Sequence, residues 1–261
     1  MYKPNFIHLL LTFCMTDNPD LKEFWEARPL MLPSVSIDCV IFGYYDNQLK
    51  ILLLKYKNTD CYALPGGFIN QDENLEDAAA RVLNERTGLK DIYLEQFYVF
   101  GDKDRRFDAT HHKLMNGSGI ILKADHFLLN RFISIGYYAL INFSKATPMP
   151  DVFSDSCTWH DLNLVPSLIF DHDSILEKAL HTLRKNLDEK LIGPNLLPET
   201  FTMNEFQNLY ETILGEKIAR SNFQRKILGL HMLKRLDKKI TGGAHKAPYL
   251  YCFDTKTASK P

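Results

Sequence analysis

Residues 66–89 read GGFINQDENLEDAAARVLNERTGL. Five residues separate Gly67 from Glu73, seven separate Glu73 from Arg81, and Gly88-Leu89 closes the run. Leu75, Ala78, Ala79, Val82 and Leu83 recur at three- and four-residue spacing, which predicts a helix with one buried face. The part between Pro65 and Glu73 predicts a Gly-led loop entering that helix. A helix start offers free N–H groups, and Gly lets the backbone approach a ligand closely. Loop, helix and Gly stop together therefore predict a cradle for an anion around Gly66 and Gly67.

The frame Gly-x5-Glu-x7-Arg, closed by Gly-Leu, resembles the Nudix box. That family hydrolyses nucleoside diphosphates linked to another group, with Mg²⁺ held by the box carboxylates. The match runs through Gly67, Glu73, Arg81, Leu83, Glu85, Gly88 and Leu89, whereas Val82 and Arg86 stand where the family carries Glu. Positions 82, 85 and 86 are i, i+3 and i+4 of one helix face, where three carboxylates could share a hard cation that needs oxygen ligands. Glu85 alone remains, beside a cationic Arg86 that repels Mg²⁺. The frame is intact and the hydrolytic chemistry is lost, so no cofactor or metal is expected, Mg²⁺ entering only if hydrolysis survives. Glu73 and Arg81 are expected to form an ion pair pinning loop to helix. For Glu85, a residual metal or ligand contact and a solvated carboxylate both stay open.

At 261 residues the chain suggests one to two domains with a sizeable core. Its apolar and charged fractions, 45% and 24%, are those of an ordinary soluble protein. Cys14, Cys39, Cys61, Cys157 and Cys252 show no CxxC or Cys/His spacing, which excludes a zinc site and suits a reducing, cytoplasmic compartment. The formal net charge of −1 hides an asymmetry: residues 216–246 hold nine Lys/Arg against Glu216 and Asp237, the pattern of a polyanion binder. No apolar run reaches the ~18 residues of a membrane helix. The opening MYKPNFIHLLLTFCMT imitates a signal peptide but lacks an A-x-A site, so residues 1–34 are expected to be an extension with a packing helix, or to follow a misassigned start codon.

Strands are expected at 36–42 and 49–56 around an Asp46-Asn47 hairpin turn, then at 92–100 and 133–142. Arg105 and Arg106, in the loop GDKDRRFD, could grip a diphosphate bidentately beside the cradle. Residues 109–130 are long for a loop and predict an elaboration at a pocket or interface, or a mobile insertion; His111-His112 there are weak evidence for a metal. Trp159 begins a further strand-to-helix passage, and an amphipathic helix from about Asp173 closes the domain spanning 35–190. Gly193-Pro194 marks the linker.

Residues 191–261 change character. Thr202 and Glu205 form a capping box for the helix ending at Gly215, and a second helix runs from about Asn222 to Leu230 with Ser221 as N-cap. A basic hairpin follows around Gly242-Gly243. Phe206, Leu209, Tyr210, Ile213, Phe223, Ile227 and Leu230 are the expected core. This is the outline of a winged helix-turn-helix, with Arg220, Ser221, Asn222, Gln224, Arg225 and Lys226 on the groove-facing helix and Lys238, Lys239 and Lys246 on the wing.

A degenerate Nudix box joined to a basic winged helix resembles the Nudix-related transcriptional regulators (NrtR-like) of bacteria. The resemblance is most specific over residues 196–228, LLPETFTMNEFQNLYETILGEKIARSNFQRKIL, and at Phe170-Asp171-His172. It implies an α+β protein: a Nudix-type mixed sheet flanked by helices, followed by the winged helix. It also implies a homodimer on palindromic double-stranded DNA, with a Nudix-like domain sensing ADP-ribose or a pentose-related ligand. Gly66, Gly67, Glu73, Arg81, Glu85, Arg105 and Arg106 are the candidate effector residues; residues 109–130 depart from the usual short passage. The alternatives are an active Nudix hydrolase of ADP-ribose-like substrates and a protein-interaction module.

Overall fold

The computed structural model describes Pro19 and residues 30–187, 196–239 and 247–254. The expected N-terminal helix, the Gly193-Pro194 linker, the Gly242-Gly243 turn and Lys246 lie outside the described residues.

The strand β1 (Met31–Tyr45) organises a seven-stranded mixed sheet. It starts inside the stretch assigned to an extension, because Met31 already pairs with Asn70; Pro33 falls in the register shift between Met31 and Ser36, where a missing N–H is tolerated. Asp46 and Asn47, with φ of 49° and 56°, turn β1 into β2 (Gln48–Tyr56), as a two-residue hairpin requires. The short β3 (Tyr62–Ala63) lies on the edge of β2. The expected Gly-led loop is instead a strand, β4 (Gly66–Asn70), antiparallel to β1. Two glycines in five residues hide the period-2 signal, and only pairing with β1 makes the segment extended.

Helix α1 (Leu75–Thr87) begins after Asn74 and ends at Gly88, whose φ of 72° lets its N–H bond Asn84 O. Then come β5 (Leu94–Phe100), helix α2 (Asp108–Gly117) and β6 (Ile133–Ile141), which runs parallel to β1 and antiparallel to β5. The long 109–130 segment is thus an ordered elaboration with a small core of its own, built from Cys61, Leu114, Met115, Ile120, Leu122, Leu128 and Leu129. β7 (Ser154–Asp161) pairs with β2 and starts five residues before Trp159. Helix α3 (His172–Asn186) follows.

Alternation along the strands sends side chains to opposite faces. Ile37, Cys39, Ile41, Leu52 and Leu54 meet Ala78, Ala79, Val82 and Leu83 of α1. Val40, Phe42, Tyr44, Ile51 and Leu53 meet Ile175, Leu176, Ala179 and Leu183 of α3.

The C-terminal part comprises β8 (Phe201–Thr202), α4 (Met203–Leu214), α5 (Arg220–Gly229), β9 (Leu233–Lys238) and β10 (Tyr249–Phe253), with β10 central in a three-stranded sheet. Both arms of the capping box form: Thr202 Oγ1 accepts from the Glu205 N–H at 3.2 Å and Glu205 Oε2 from the Thr202 N–H at 2.6 Å. Phe206 packs edge-on to Phe201, Tyr210 and Phe223. Leu230, expected in the core, is 38% exposed because it lies past the end of α5. The core of α4 and α5 is continuous with the α3 face of the large sheet. Tyr210 donates to Leu187 O at 3.1 Å and Arg184 Nε to Ile213 O at 2.9 Å, so α3 is bonded to the winged helix at its far end.

Candidate functional site: a cavity joined by one helix to a basic face

A cavity of about 920 Å³ opens between α1, β4, the segment following β5, residues 149–154 and the start of α3. Of the candidate residues, Gly66, Gly67, Arg81, Glu85 and Arg105 line it, whereas Glu73 and Arg106 do not. Arg106 is exposed and donates to Leu129 O at 3.3 Å. The first turn of α1 carries Glu76 and Asp77 and is absent from the lining, so the helix N-terminus is not the anion cradle.

The glycines serve packing. A Cβ on Gly66 would stand 2.8 Å from Ile37 O, and one on Gly67 2.8 Å from Val82 Cγ2. Val82 is therefore beneath β4, fully buried, and does not face the cavity as a metal ligand would.

Arg81 and Glu73 form the expected clamp: Arg81 Nη2 and Nε reach Glu73 Oε1 and Oε2 at 2.6 and 3.1 Å, and Arg81 Nη2 also donates to Phe68 O at 2.8 Å. The Asn70 N–H donates to Glu73 Oε1 at 2.7 Å, tying the end of β4 to the clamp. Hydrogen bonding from Arg81 holds the Glu73 carboxyl below its ordinary range. Glu85 lies between two guanidinium groups, 3.3 Å from Arg81 Nη1 and 3.6 Å from Arg86 Nη2. Arg86 does not point to solvent: its side chain is 11% exposed and its Nε has no partner.

Arg105 departs most from expectation. It is 8% exposed, donating to Asp171 Oδ2 and Oδ1 at 2.7 and 3.0 Å, to Phe132 O at 3.2 Å and to Asp38 Oδ2 at 3.3 Å. Its fork is spent on protein acceptors rather than held out to a diphosphate. Asp38 also takes the Ser134 hydroxyl and faces His172 Nε2 at 3.6 Å, while His172 Nδ1 accepts from the Leu64 N–H at 3.0 Å. Burial lowers the pKa of His172, keeping it neutral. This network binds β1, β6 and the loop after β5 to the N-terminus of α3. Asp38 and Ser134 gave no sequence signal, since each sits among apolar residues of a strand; the Phe170-Asp171-His172 signature was the visible trace.

Aromatic groups form one cavity wall. His111 lies 4.8 Å from the Phe170 ring at 35°, and Phe107 is 5.1 Å from it. Phe170 has φ of 58°, a left-handed backbone that costs a bulky residue about 1–2 kcal/mol and here aims the ring into the cavity. Burial pushes His111 down to about 4, so its ring is neutral. Among the described residues no group of three or more His, Cys, Asp or Glu could hold a metal ion. No described helix is long and apolar enough to cross a membrane.

At the other end of α3, the helix α5 buries Phe223 and Ile227 and exposes Arg220, Ser221, Asn222, Arg225 and Lys226, with Gln224 half-buried. Its N-cap is Ala219, without a side-chain bond, so Ser221 lies inside the first turn and is not the cap. Arg225 Nη2 donates to Asn222 Oδ1 at 3.1 Å. On the hairpin, Lys238 is exposed and Lys239 is 3.3 Å from Glu205 Oε1 of the capping box. Arg235, which the sequence did not single out, stacks 3.4 Å over Tyr249.

Two family models match along the chain: the NUDIX domain at residues 35–179 and the NrtR DNA-binding winged helix domain at 193–253. An ADPR-responsive transcriptional repressor, NtrR, of Acinetobacter baylyi is 32% identical over 228 residues, covering 85% of this chain and 82% of that protein. The chain belongs to the NrtR family. The crystal structure of Shewanella oneidensis NrtR complexed with a 27mer DNA superposes with a TM-score of 0.64 at 28% identity, covering 86% of this chain and 95% of that one. An ADP-ribose pyrophosphatase of Methanocaldococcus jannaschii is 30% identical over 161 residues, 60% of this chain and 78% of that protein. In this NrtR-family chain, α5 and the β9–β10 strands fall within the residues matched by the winged helix model.

Proposed function

We propose that this chain is an ADP-ribose-responsive transcription regulator that binds double-stranded DNA through α5 and the wing. It acts in the cytoplasm as a homodimer on a palindromic operator, operator symmetry mirroring protein symmetry. The cavity senses the effector without hydrolysing it. The observation that carries this reading is the course of α3: it starts in the cavity wall at His172 and ends bonded to α4 through Arg184 and Leu187. A ligand that favours one position of α3 also favours one position of the winged helix, which is all that linkage requires. Coupling of ~1–3 kcal/mol would change operator affinity by roughly 5- to 150-fold.

The similarity to an ADP-ribose pyrophosphatase leaves hydrolysis as the second reading; buried Val82 and cationic Arg86, at two of the three carboxylate positions, weigh against it. The test is fluorescence anisotropy on a duplex drawn from upstream of the protein's own gene, with ADP-ribose titrated against bound protein. A shift in operator affinity supports the reading. Operator binding indifferent to ADP-ribose but responsive to an uncharged pentose would move the chain to a sugar-sensing role, and absence of any DNA binding would overturn it.

A further inference from the structure

Five buried side-chain polar atoms among the described residues lack a hydrogen-bond partner, and three of them, Arg86 Nε, His111 Nδ1 and Ser154 Oγ, belong to residues lining the cavity. The other two cavity arginines near the Nudix frame are committed, Arg81 to Glu73, Glu85 and Phe68 O and Arg105 to Asp38, Asp171 and Phe132 O. Arg86 alone of the three keeps a buried, unspent N–H, at the position where the Nudix frame places a metal carboxylate.

The residues present do not fit Mg²⁺. Val82 is in the core, and Glu85 is held between two guanidinium groups. The lining carries four cationic side chains (Lys57, Arg81, Arg86, Arg105) against three anionic ones (Asp38, Glu85, Asp151). Such a wall does not concentrate a hard cation. Ser154 lines the same cavity as Arg86. It is 3% exposed and stands opposite Tyr56 across β2 and β7. Burial raises the Tyr56 hydroxyl well above its ordinary range, with Asp151 adding to the rise and the Arg86 charge opposing it.

We infer that the Arg86 guanidinium, together with the Ser154 hydroxyl of the same cavity, receives the phosphate oxygens of the effector in place of a metal ion, so that effector binding needs no divalent cation. Arginine suits this exchange because its fork matches phosphate geometry and it stays charged when buried. A phosphate oxygen satisfies the orphaned Nε–H in surroundings of low dielectric, where such a bond is strong. The inference rests on the cavity being the effector site.

Isothermal titration calorimetry on the full chain tests it, with ADP-ribose and, separately, ADP as titrants, in EDTA and in millimolar Mg²⁺. Wild-type Kd should agree within about twofold between the two buffers. Arg86→Gln should raise Kd roughly 10- to 100-fold, as loss of a charge-assisted hydrogen bond does. Ser154→Ala should raise it by less, and Arg86→Lys should be intermediate. The unliganded melting temperature of each variant reports whether it folds. Wild-type binding that requires Mg²⁺, or a folded Arg86→Gln that binds as wild type does, overturns the inference while leaving the ADP-ribose reading standing. ADP binding that depends on Arg86 in EDTA, with no binding of ADP-ribose, sinks the ADP-ribose reading and keeps the inference. Failure of both ligands to bind removes both.

Discussion

Arg105→Ala removes the guanidinium that joins Asp38 of β1 and Phe132 O to Asp171 at the start of α3. A loop arginine gripping a diphosphate could be removed with loss of effector response alone. In the structure four of its N–H groups are bonded to Asp171, Asp38 and Phe132 O, and its side chain and that of Asp38 are 7% and 9% exposed. Removing it leaves Asp38 buried with only the Ser134 hydroxyl and a neutral His172 beside it. Breaking a buried ion pair from one side costs about 3–5 kcal/mol. For a domain of this size each kcal/mol lowers Tm by about 2–4 °C, so the expected loss is roughly 6–20 °C. Asp171→Asn should cost less, because that carboxylate is 25% exposed and water compensates part of the loss. Arg105→Lys keeps the charge but not the fork and should fall between. Calorimetric melts of the full chain decide. A shift of less than about 2 °C for Arg105→Ala refutes the buried-network reasoning; a stable variant that has lost its response to ADP-ribose returns Arg105 to the ligand.

Burial lowers His111 from 6.5 to about 4, so the folded state binds fewer protons than the unfolded one. Its contribution is complete above pH 6.5 and is lost as pH falls from 6.5 towards 4. Urea midpoints should decline across that window, and less so in His111→Gln; the lowered carboxyls of Glu73 and Glu205 add their losses only at lower pH. Arg225→Ala with Lys226→Ala should weaken operator binding by at least the ~1–3 kcal/mol of one bidentate base contact, while Lys238→Ala should weaken all sequences alike and flatten the salt slope by about one unit, both read by anisotropy across salt concentrations. Unchanged affinity in the double variant would show that α5 is not the reading helix. ADP-ribose with Mg²⁺ should show no turnover above background when release of AMP is followed by chromatography. Arg86→Glu combined with Val82→Glu should not restore it, because residue 82 is fully buried and a carboxylate there unfolds the core instead; robust wild-type turnover abolished by Glu85→Gln would sink this prediction.

Much of the fold was legible locally. Spacing alone placed α1 and its Gly88 stop, the Asp46-Asn47 turn, the capping box of α4 and the winged-helix core apart from Leu230, because caps, turns and helical stripes are set by residues a few positions apart. The Glu73–Arg81 clamp, eight residues apart within the Nudix frame, was also legible from spacing. What the sequence could not determine depends on partners far along the chain. Residues 66–70 are a strand only because β1 lies beside them, and Val82 leaves the metal face only because β4 covers it. Arg105 is committed to Asp38 and Asp171, each more than sixty residues away. The Arg86 side chain is 11% exposed and its Nε–H has no partner, although its Nη2 lies 3.6 Å from Glu85; that burial is set by packing, not by its neighbours in sequence. Local chemistry specified the Nudix frame and the winged helix; which of their charges are spent on other protein groups was decided by the tertiary packing, since burial and long-range pairing exist only once the chain has closed.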